Sequence, residues 1–373
     1  MSDIKLDTFA LCNSSDYACD VIKIFSHRGL QRFNETLTYN EKTLFKTATC
    51  PHDMISTLKS LLPAPVKNCI RPFIPSFLRA AKWRWVTIDQ IPTELAQAEK
   101  SRSVSEAEYV RYLQSFWVEL PRPPSDPWSD EYKQHWLSVY HSLTGIAYNV
   151  SREGHEFDLQ AMIKKPFPYS TESYEIVGDQ FIAIGSLIRA MQLSPKASVL
   201  EFGPGWGNTS LALAQMGHDV TTIDIEPRYV ELQKNRAAKL DVPLKAVQGE
   251  FFKIREITES FDAVLFYESF HHCIDHLALL DEIPAKLRPG GKLILAGETI
   301  NEGIPYDWGL NPNGEAIFQI VTKGWMELSF RESYLLKTLK HKGWEIKKHN
   351  STQTTAAIVY VCTRVDRINS AIS

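Results

Sequence analysis

The chain has 373 residues, more than one hydrophobic core usually organises, which predicts two domains or one domain with a large appendage. Its composition is 44% hydrophobic and 23% charged with both signs mixed, which excludes an intrinsically disordered protein. A net charge of −3 gives no overall attraction for nucleic acid, whose binding draws on many Lys and Arg contacts to phosphate.

The first residues, Met-Ser-Asp-Ile-Lys-Leu-Asp, lack the charged-then-apolar order of an export signal. No apolar run reaches the roughly 18 residues of a spanning helix. Cys12, Cys19, Cys50, Cys69, Cys273 and Cys362 form no CxxC pair, so they read as reduced thiols of a cytoplasmic protein. From Met54 to Ile88 no acidic residue occurs, while Lys59, Lys67, Arg71, Arg79, Lys82 and Arg84 sit among apolar residues, Trp83 and Trp85. A basic, Trp-bearing stretch suits a lipid headgroup surface. Against this, Pro63, Pro65, Pro72 and Pro75 interrupt any long amphipathic face, favouring short helices with a solvated charged side.

Glu106 to Leu120 and Ser129 to Leu143 carry aromatics and leucines at helical spacing, separated by the proline-rich turn from Pro121 to Pro127. Residues 1–165 are therefore expected to be a mainly helical region that binds an acceptor or docks a partner. Pro166 and Pro168 break the pattern and set the expected boundary with a second domain over 166–373. There strand and helix alternate. Helices are predicted at Tyr174 to Met191, Thr209 to Met216, Pro227 to Lys239 and Asp275 to Leu287. Strands are predicted at Ser198 to Phe202, Asp219 to Ile225, Lys245 to Gln248, Phe261 to Tyr267 and Lys292 to Ala296. Such alternation means right-handed crossovers and a doubly wound, mostly parallel α/β sheet. Trp344 to Lys348 and Ala357 to Thr363 read as a final antiparallel hairpin at its edge.

The first strand of this series runs into Glu201-Phe-Gly203-Pro-Gly205-Trp-Gly207. Three glycines allow a sharp turn and close approach to a ligand at the C-terminal edge of a parallel sheet. The spacing is GxGxG, with an acid directly before it that would repel a pyrophosphate but hold an ammonium group. A dinucleotide is thereby disfavoured. Asp224, with Ile225 beside it, ends the second strand where a carboxylate can accept both hydroxyls of a ribose. Glu250 offers an acceptor for an exocyclic amine next to the aromatic face of Phe251, a combination that suits adenine.

In these residues, and in the turn from Leu287 to Lys292, the chain resembles the class I S-adenosylmethionine-dependent methyltransferases over about residues 166–373. The resemblance implies a Rossmann-like sheet of seven strands completed by the terminal hairpin. It also implies S-adenosylmethionine as cofactor, with the glycine loop on methionine, Asp224 on ribose and Glu250 on adenine. The fourth strand runs out into Tyr267-Glu268-Ser-Phe-His271-His272, on the same sheet edge as the glycine loop. Glu268 is a further candidate for the donor site. His271 or His272 could take a proton from a hydroxyl acceptor, although histidine there can equally serve as a packing residue. The Asn-Pro-Pro-Tyr type of motif expected for adenine amino methylation is missing, which disfavours a nucleobase.

Asp307 and Trp308, in a long loop after the fifth strand, could hydrogen-bond and stack on a sugar; the alternative is a loop pinned by a buried Trp. No close ligand spacing marks a metal site among His271, His272, Glu298 and Asp307. The favoured reading is O-methylation of a small molecule or glycan. The alternatives are a protein, RNA, glycolipid or membrane-associated acceptor, and a non-catalytic scaffold that only binds the cofactor. The oligomeric state is not legible.

Overall fold

The computed structural model describes residues 84–154 and 156–365. Most of the basic stretch, residues 54 to 83, and the cysteines before it and within it lie outside the described residues. From Arg84 onward the chain forms one compact unit, so the prolines near residue 165 mark a change of architecture within a packed body. Among the described residues no helix is long and apolar enough to cross a membrane.

Strand β1 (Arg84–Val86) leads into helices α1 (Ile91–Arg102) and α2 (Glu106–Leu113), and β2 (Phe116–Val118) then pairs in parallel with β1. The helix expected to reach Leu120 thus stops at Leu113. Phe116-Trp-Val118 is a fully buried aromatic and β-branched run, and pairing with a distant strand overrides its helical spacing. Helix α3 (Asp130–Thr144) starts at Ser129, whose hydroxyl accepts from Tyr132 N, and stops at Gly145 in the left-handed conformation. After α4 (Leu159–Lys164), α5 (Tyr174–Met191) is capped by Ser173.

The sheet region runs β3 (Ser198–Phe202), α6 (Asn208–Gln215), β4 (Asp219–Asp224), α7 (Pro227–Leu240), β5 (Leu244–Gln248), β6 (Phe261–Tyr267), α8 (His276–Glu282) and β7 (Leu287–Ala296). Helix α8 is shorter than expected. Pro284 lacks an N–H to continue the α ladder, and a 3-10 turn, Ile283–Lys286, takes over. Strand β7 is longer than expected: it starts at Leu287, and the Arg288-Pro-Gly-Gly segment loops out where the pairing with β6 shifts register.

An insertion follows, made of β8 (Trp308–Leu310), α9 (Gly314–Lys323) and β9 (Leu328–Phe330), before α10 (Glu332–His341), β10 (Trp344–His349) and β11 (Val359–Arg364). The seven-stranded order is β10-β11-β7-β6-β3-β4-β5. Strands β3 to β7 are parallel, and β11 slots antiparallel between β7 and the edge strand β10. The core, with Leu187, Val199, Leu265 and Ile294, lies between this sheet and α5 and α6.

The insertion packs onto the helices that precede the sheet. Trp117 of β2 bridges to Asn313, and α9 lies against α2 and α3. Trp136, Tyr306, Tyr132 and Trp308 form a buried aromatic cluster, with Trp136 and Tyr306 rings 4.5 Å apart and Tyr132 and Trp308 rings 5.1 Å apart. Tyr132 Oη donates to Trp308 O at 3.0 Å, and Trp308 Nε1 donates to Pro127 O at 2.7 Å. Backbone and indole meet so closely that a Cβ on Gly309 would stand 2.1 Å from Trp136 Cε2. Gly309→Ala is therefore expected to destabilise the protein by about 3 kcal/mol, the upper end for overpacking. Gly178→Ala, in α5 with open space around its Cβ, is expected to stabilise it by about 0.5–1 kcal/mol. Urea unfolding of the two variants checks the opposite signs.

Candidate functional site

Past β3 the chain turns through Gly203, Gly205 and Gly207, at φ 59°, 51° and 72°. Only glycine takes these values without strain, and a Cβ on Gly203 would lie 2.8 Å from Ser269 Cβ. The loop is clamped by β4 and α7. Gly205 N donates to Asp224 Oδ2 at 2.9 Å, and Gln233 Nε2 donates to Gly205 O at 2.9 Å. Asp224 Oδ1 also accepts from Glu226 N at 3.0 Å. Each of its oxygens keeps a lone pair for a ligand hydroxyl.

At the C-terminal ends of β3, β4 and β5 lies a cavity of about 150 Å3, lined by Gly203, Gly205, Asp224, Ile225, Glu250, Phe251 and Glu268 of the expected donor set, and by His272. Glu250 caps the turn after β5 by accepting from Phe252 N at 2.8 Å, with one carboxylate oxygen left over. Phe251 sits against Phe202 and Phe266. Glu268 occupies the left-handed region at φ 52°, a strained value for a non-glycine residue. Gly297 makes this tolerable, since a Cβ there would be 2.7 Å from Glu268 Cγ.

The remaining predicted residues stand away from this lining. Glu201 is buried under the loop, where the Ser210 hydroxyl hydrogen-bonds its carboxylate. Gly207 starts α6 and makes room for Gln233, whose Cγ would be 2.8 Å from an added Cβ. Asp307 is partly buried in the insertion. Trp308 corrects the sugar-stacking expectation: it is 1% exposed and its indole N–H is bonded to backbone, so it packs the insertion and presents no face to an acceptor.

His271 is also buried, and its position comes from a residue with no motif. Glu298, just past β7, accepts from Ser269 N at 3.1 Å, Phe270 N at 3.0 Å, His271 N at 3.1 Å and His271 Nδ1 at 2.7 Å. The His271 and His272 rings are 4.3 Å apart. Beyond them stand two carboxylates that sequence reasoning missed, Glu327 beside β9 and Glu153 before the sheet region. Glu327 Oε2 lies 3.6 Å from His271 Nε2, and Glu153 Oε2 lies 3.1 Å from His272 Nδ1. Glu153 is held by Tyr148 Oη at 2.9 Å and Met326 N at 2.7 Å. Burial opposes charge on His272, but Glu327 and Glu153 outweigh it and push its pKa up to about 9. Val150, Tyr229 and Trp325 complete the cavity wall; no sequence pattern singles them out.

Burial raises the pKa of both Glu201 and Asp224 to about 7, with the Asp224 charge adding to the effect on Glu201. The folded state thus binds protons more tightly than the unfolded chain, so stability is expected to fall as pH rises from about 4 through 7. Glu201→Gln removes one ionisation while keeping a partner for Ser210. It should raise the melting temperature above pH 7 and flatten its decline between pH 5 and 8, which thermal unfolding across that range measures.

Residues 200–295 match the family model described as a methyltransferase domain. Over 103 residues the chain is 36% identical to a ubiquinone biosynthesis O-methyltransferase of Xanthomonas campestris pv. campestris (strain B100), covering 27% of this chain and 43% of that protein. It is 27% identical over 157 residues to the protein of the same name from Xylella fastidiosa (strain 9a5c), covering 40% and 62%. The chain thus spans less than two thirds of the length of these curated relatives. A solved structure of 1,6-didemethyltoxoflavin-N1-methyltransferase from Burkholderia thailandensis overlaps 66% of this chain and 94% of its own, at 18% identity and a TM-score of 0.41. The glycine loop, the clamped Asp224 and the seven-stranded order all lie in or around the matched segment. The domain built on this sheet belongs to the class I S-adenosylmethionine-dependent methyltransferases, with S-adenosylmethionine as its cofactor.

Proposed function

We propose that the chain transfers a methyl group from S-adenosylmethionine to a hydroxyl oxygen of a small molecule. The observation that carries this reading is that one cavity holds both the donor-type residues and His272, with Glu153 on the same wall. The similarity to relatives named O-methyltransferases supports an oxygen acceptor. When bound, S-adenosylmethionine supplies a methyl group made electrophilic by a positively charged sulfur.

The chain's own residues do the rest. Gly203 and Gly205 let the donor approach the backbone closely, Asp224 accepts ribose hydroxyls, and Glu250 with Phe251 takes the edge and face of adenine. Glu201, one layer below, adds negative potential under the methionine end and makes no direct contact. In-line transfer needs alignment and a water-poor pocket, which the aromatic wall of Trp325, Tyr229 and Phe251 provides. The acceptor hydroxyl gives its proton to the His272–Glu153 pair. While His272 is charged, Glu153 is the basic member, and His272 donates to the acceptor oxygen.

Two measurements test this. Incubating the full chain with methyl-labelled donor and a panel of phenols, catechols and sugars should give labelled ethers from at least one hydroxylated compound. Donor binding without label on any compound would sink the enzymatic reading in favour of a scaffold. Because ribose hydroxyls donate to the ionised form of Asp224, S-adenosylhomocysteine affinity should weaken below about pH 7, by at most about tenfold per pH unit. Calorimetry should show Asp224→Ala reducing it at least about thirtyfold, the loss of two hydrogen bonds at roughly 1 kcal/mol each.

A further inference from the structure

The geometry points to a site for one divalent transition-metal ion, held by Nε2 of His271, a ring nitrogen of His272 and the carboxylate of Glu327 at the acceptor side of the cavity. The three residues come from two distant stretches of chain, and each offers a ligand atom within 4.8 Å of the other two. An ion with bonds near 2.1 Å and tetrahedral geometry sets its donors about 3.4 Å apart. His271 Nε2 and Glu327 Oε2, at 3.6 Å, already stand at that spacing. The other ligand-atom pairs, no more than 4.8 Å apart, exceed that spacing by at most about 1.4 Å.

The surroundings are those of metal ligands. A ligating imidazole usually donates its second N–H to a carboxylate, which fixes the tautomer. His271 Nδ1 meets Glu298 at 2.7 Å, and Glu298 is itself fixed by three backbone amides, so the lone pair is at Nε2. Nδ1 of His272 is buried and makes no hydrogen bond, although Glu153 Oε2 lies 3.1 Å away. Among the described residues the Glu327 carboxylate accepts no hydrogen bond. Glu153, Glu298 and Glu327, with side chains 9%, 1% and 11% exposed, gather negative charge that a cation offsets. Two imidazole nitrogens favour an ion such as Zn2+ or Co2+ over Mg2+ or Ca2+, which prefer oxygen.

Three protein ligands leave a coordination position open, and His272 lines the cavity, so that position borders it. The ion's role rests on the methyl-transfer reading; its binding does not. The acceptor hydroxyl oxygen takes the open position, and coordination lowers its pKa. With the ion bound, His272 is a neutral ligand and gives up the donor role it has in the metal-free site, so the acceptor's proton passes to Glu153 alone and on to solvent. The oxygen's electron pair then forms the C–O bond as the C–S bond breaks, leaving its pair on sulfur.

The test uses the untagged full chain, stripped with a chelator and titrated with Zn2+, Co2+ and Mg2+ by calorimetry, with Co2+ ligand-field absorption as a second readout. One equivalent should bind, with an intense tetrahedral-type Co2+ spectrum and a raised melting temperature. His272→Gln and Glu327→Gln should each weaken binding at least a hundredfold, and Glu298→Gln, which removes no metal ligand but disturbs the orientation of His271 and the amides around it, tenfold to a hundredfold. Circular dichroism shows that each variant is folded. No binding to the folded wild type, affinity unchanged in both His272→Gln and Glu327→Gln, or equal affinity for Mg2+ would each overturn the site. S-adenosylhomocysteine titration of the stripped protein separates the two readings: donor binding without metal binding sinks the metal site alone, whereas loss of donor binding sinks the methyltransferase reading.

Discussion

The site depends on one carboxylate. Glu298 stands just past β7 and collects three successive amides at the end of β6 together with the ring of His271. Adjacent parallel strands end side by side, so an acid after one can satisfy the backbone donors released where the next stops. The bonds turn the segment after β6 back over the sheet edge. That turn places Glu268 and Ser269 against the glycine loop and His272 in the cavity wall. Removing Glu298 would leave three amides and an imidazole without partners, a penalty spread over both halves of the site.

The two halves are built differently. The donor half is local: Gly203, Gly205, Asp224 and Glu250 follow three neighbouring parallel strands, and Asp224 knits the first two together through Gly205 N. The acceptor half is assembled from far apart in the chain. Glu153 precedes the sheet region, and Trp325 and Glu327 lie in the insertion after β7. What brings them together is the aromatic packing of α3 on the insertion, in which Tyr132 and Trp136 meet Trp308 and Tyr306. The region before the sheet therefore contributes to the site through packing and through a placed carboxylate.

Charge divides the cavity in the same way. Asp224 and Glu201 lie deep on the donor side, where burial holds their pKa near neutrality and a cationic ligand would shift them towards the ionised form. On the other side two imidazoles are wedged between Glu153, Glu298 and Glu327. An acidic enclosure of this kind favours positive charge, whether on a sulfonium, an imidazolium or an ion, and disfavours a polyanionic ligand.

Periodicity alone yields the doubly wound sheet, because apolar runs such as Ser198–Phe202 and Phe261–Tyr267 between amphipathic helices have few other ways to be buried. The glycine loop, Asp224 and Glu250 are equally legible, since each is tied to a strand end by backbone geometry. Legibility fails where distant segments compete with local preference. Phe116–Val118 has helical spacing but pairs with Arg84–Val86, and Trp308 looks available for stacking until Pro127 and Tyr132 bury it. By itself the amino-acid order determined the sheet and the donor residues, through short-range periodicity and turn chemistry. Tertiary structure alone decided that Glu153, Glu298 and Glu327 surround the two histidines, because contacts between residues from 27 to 119 positions apart leave no local pattern to read.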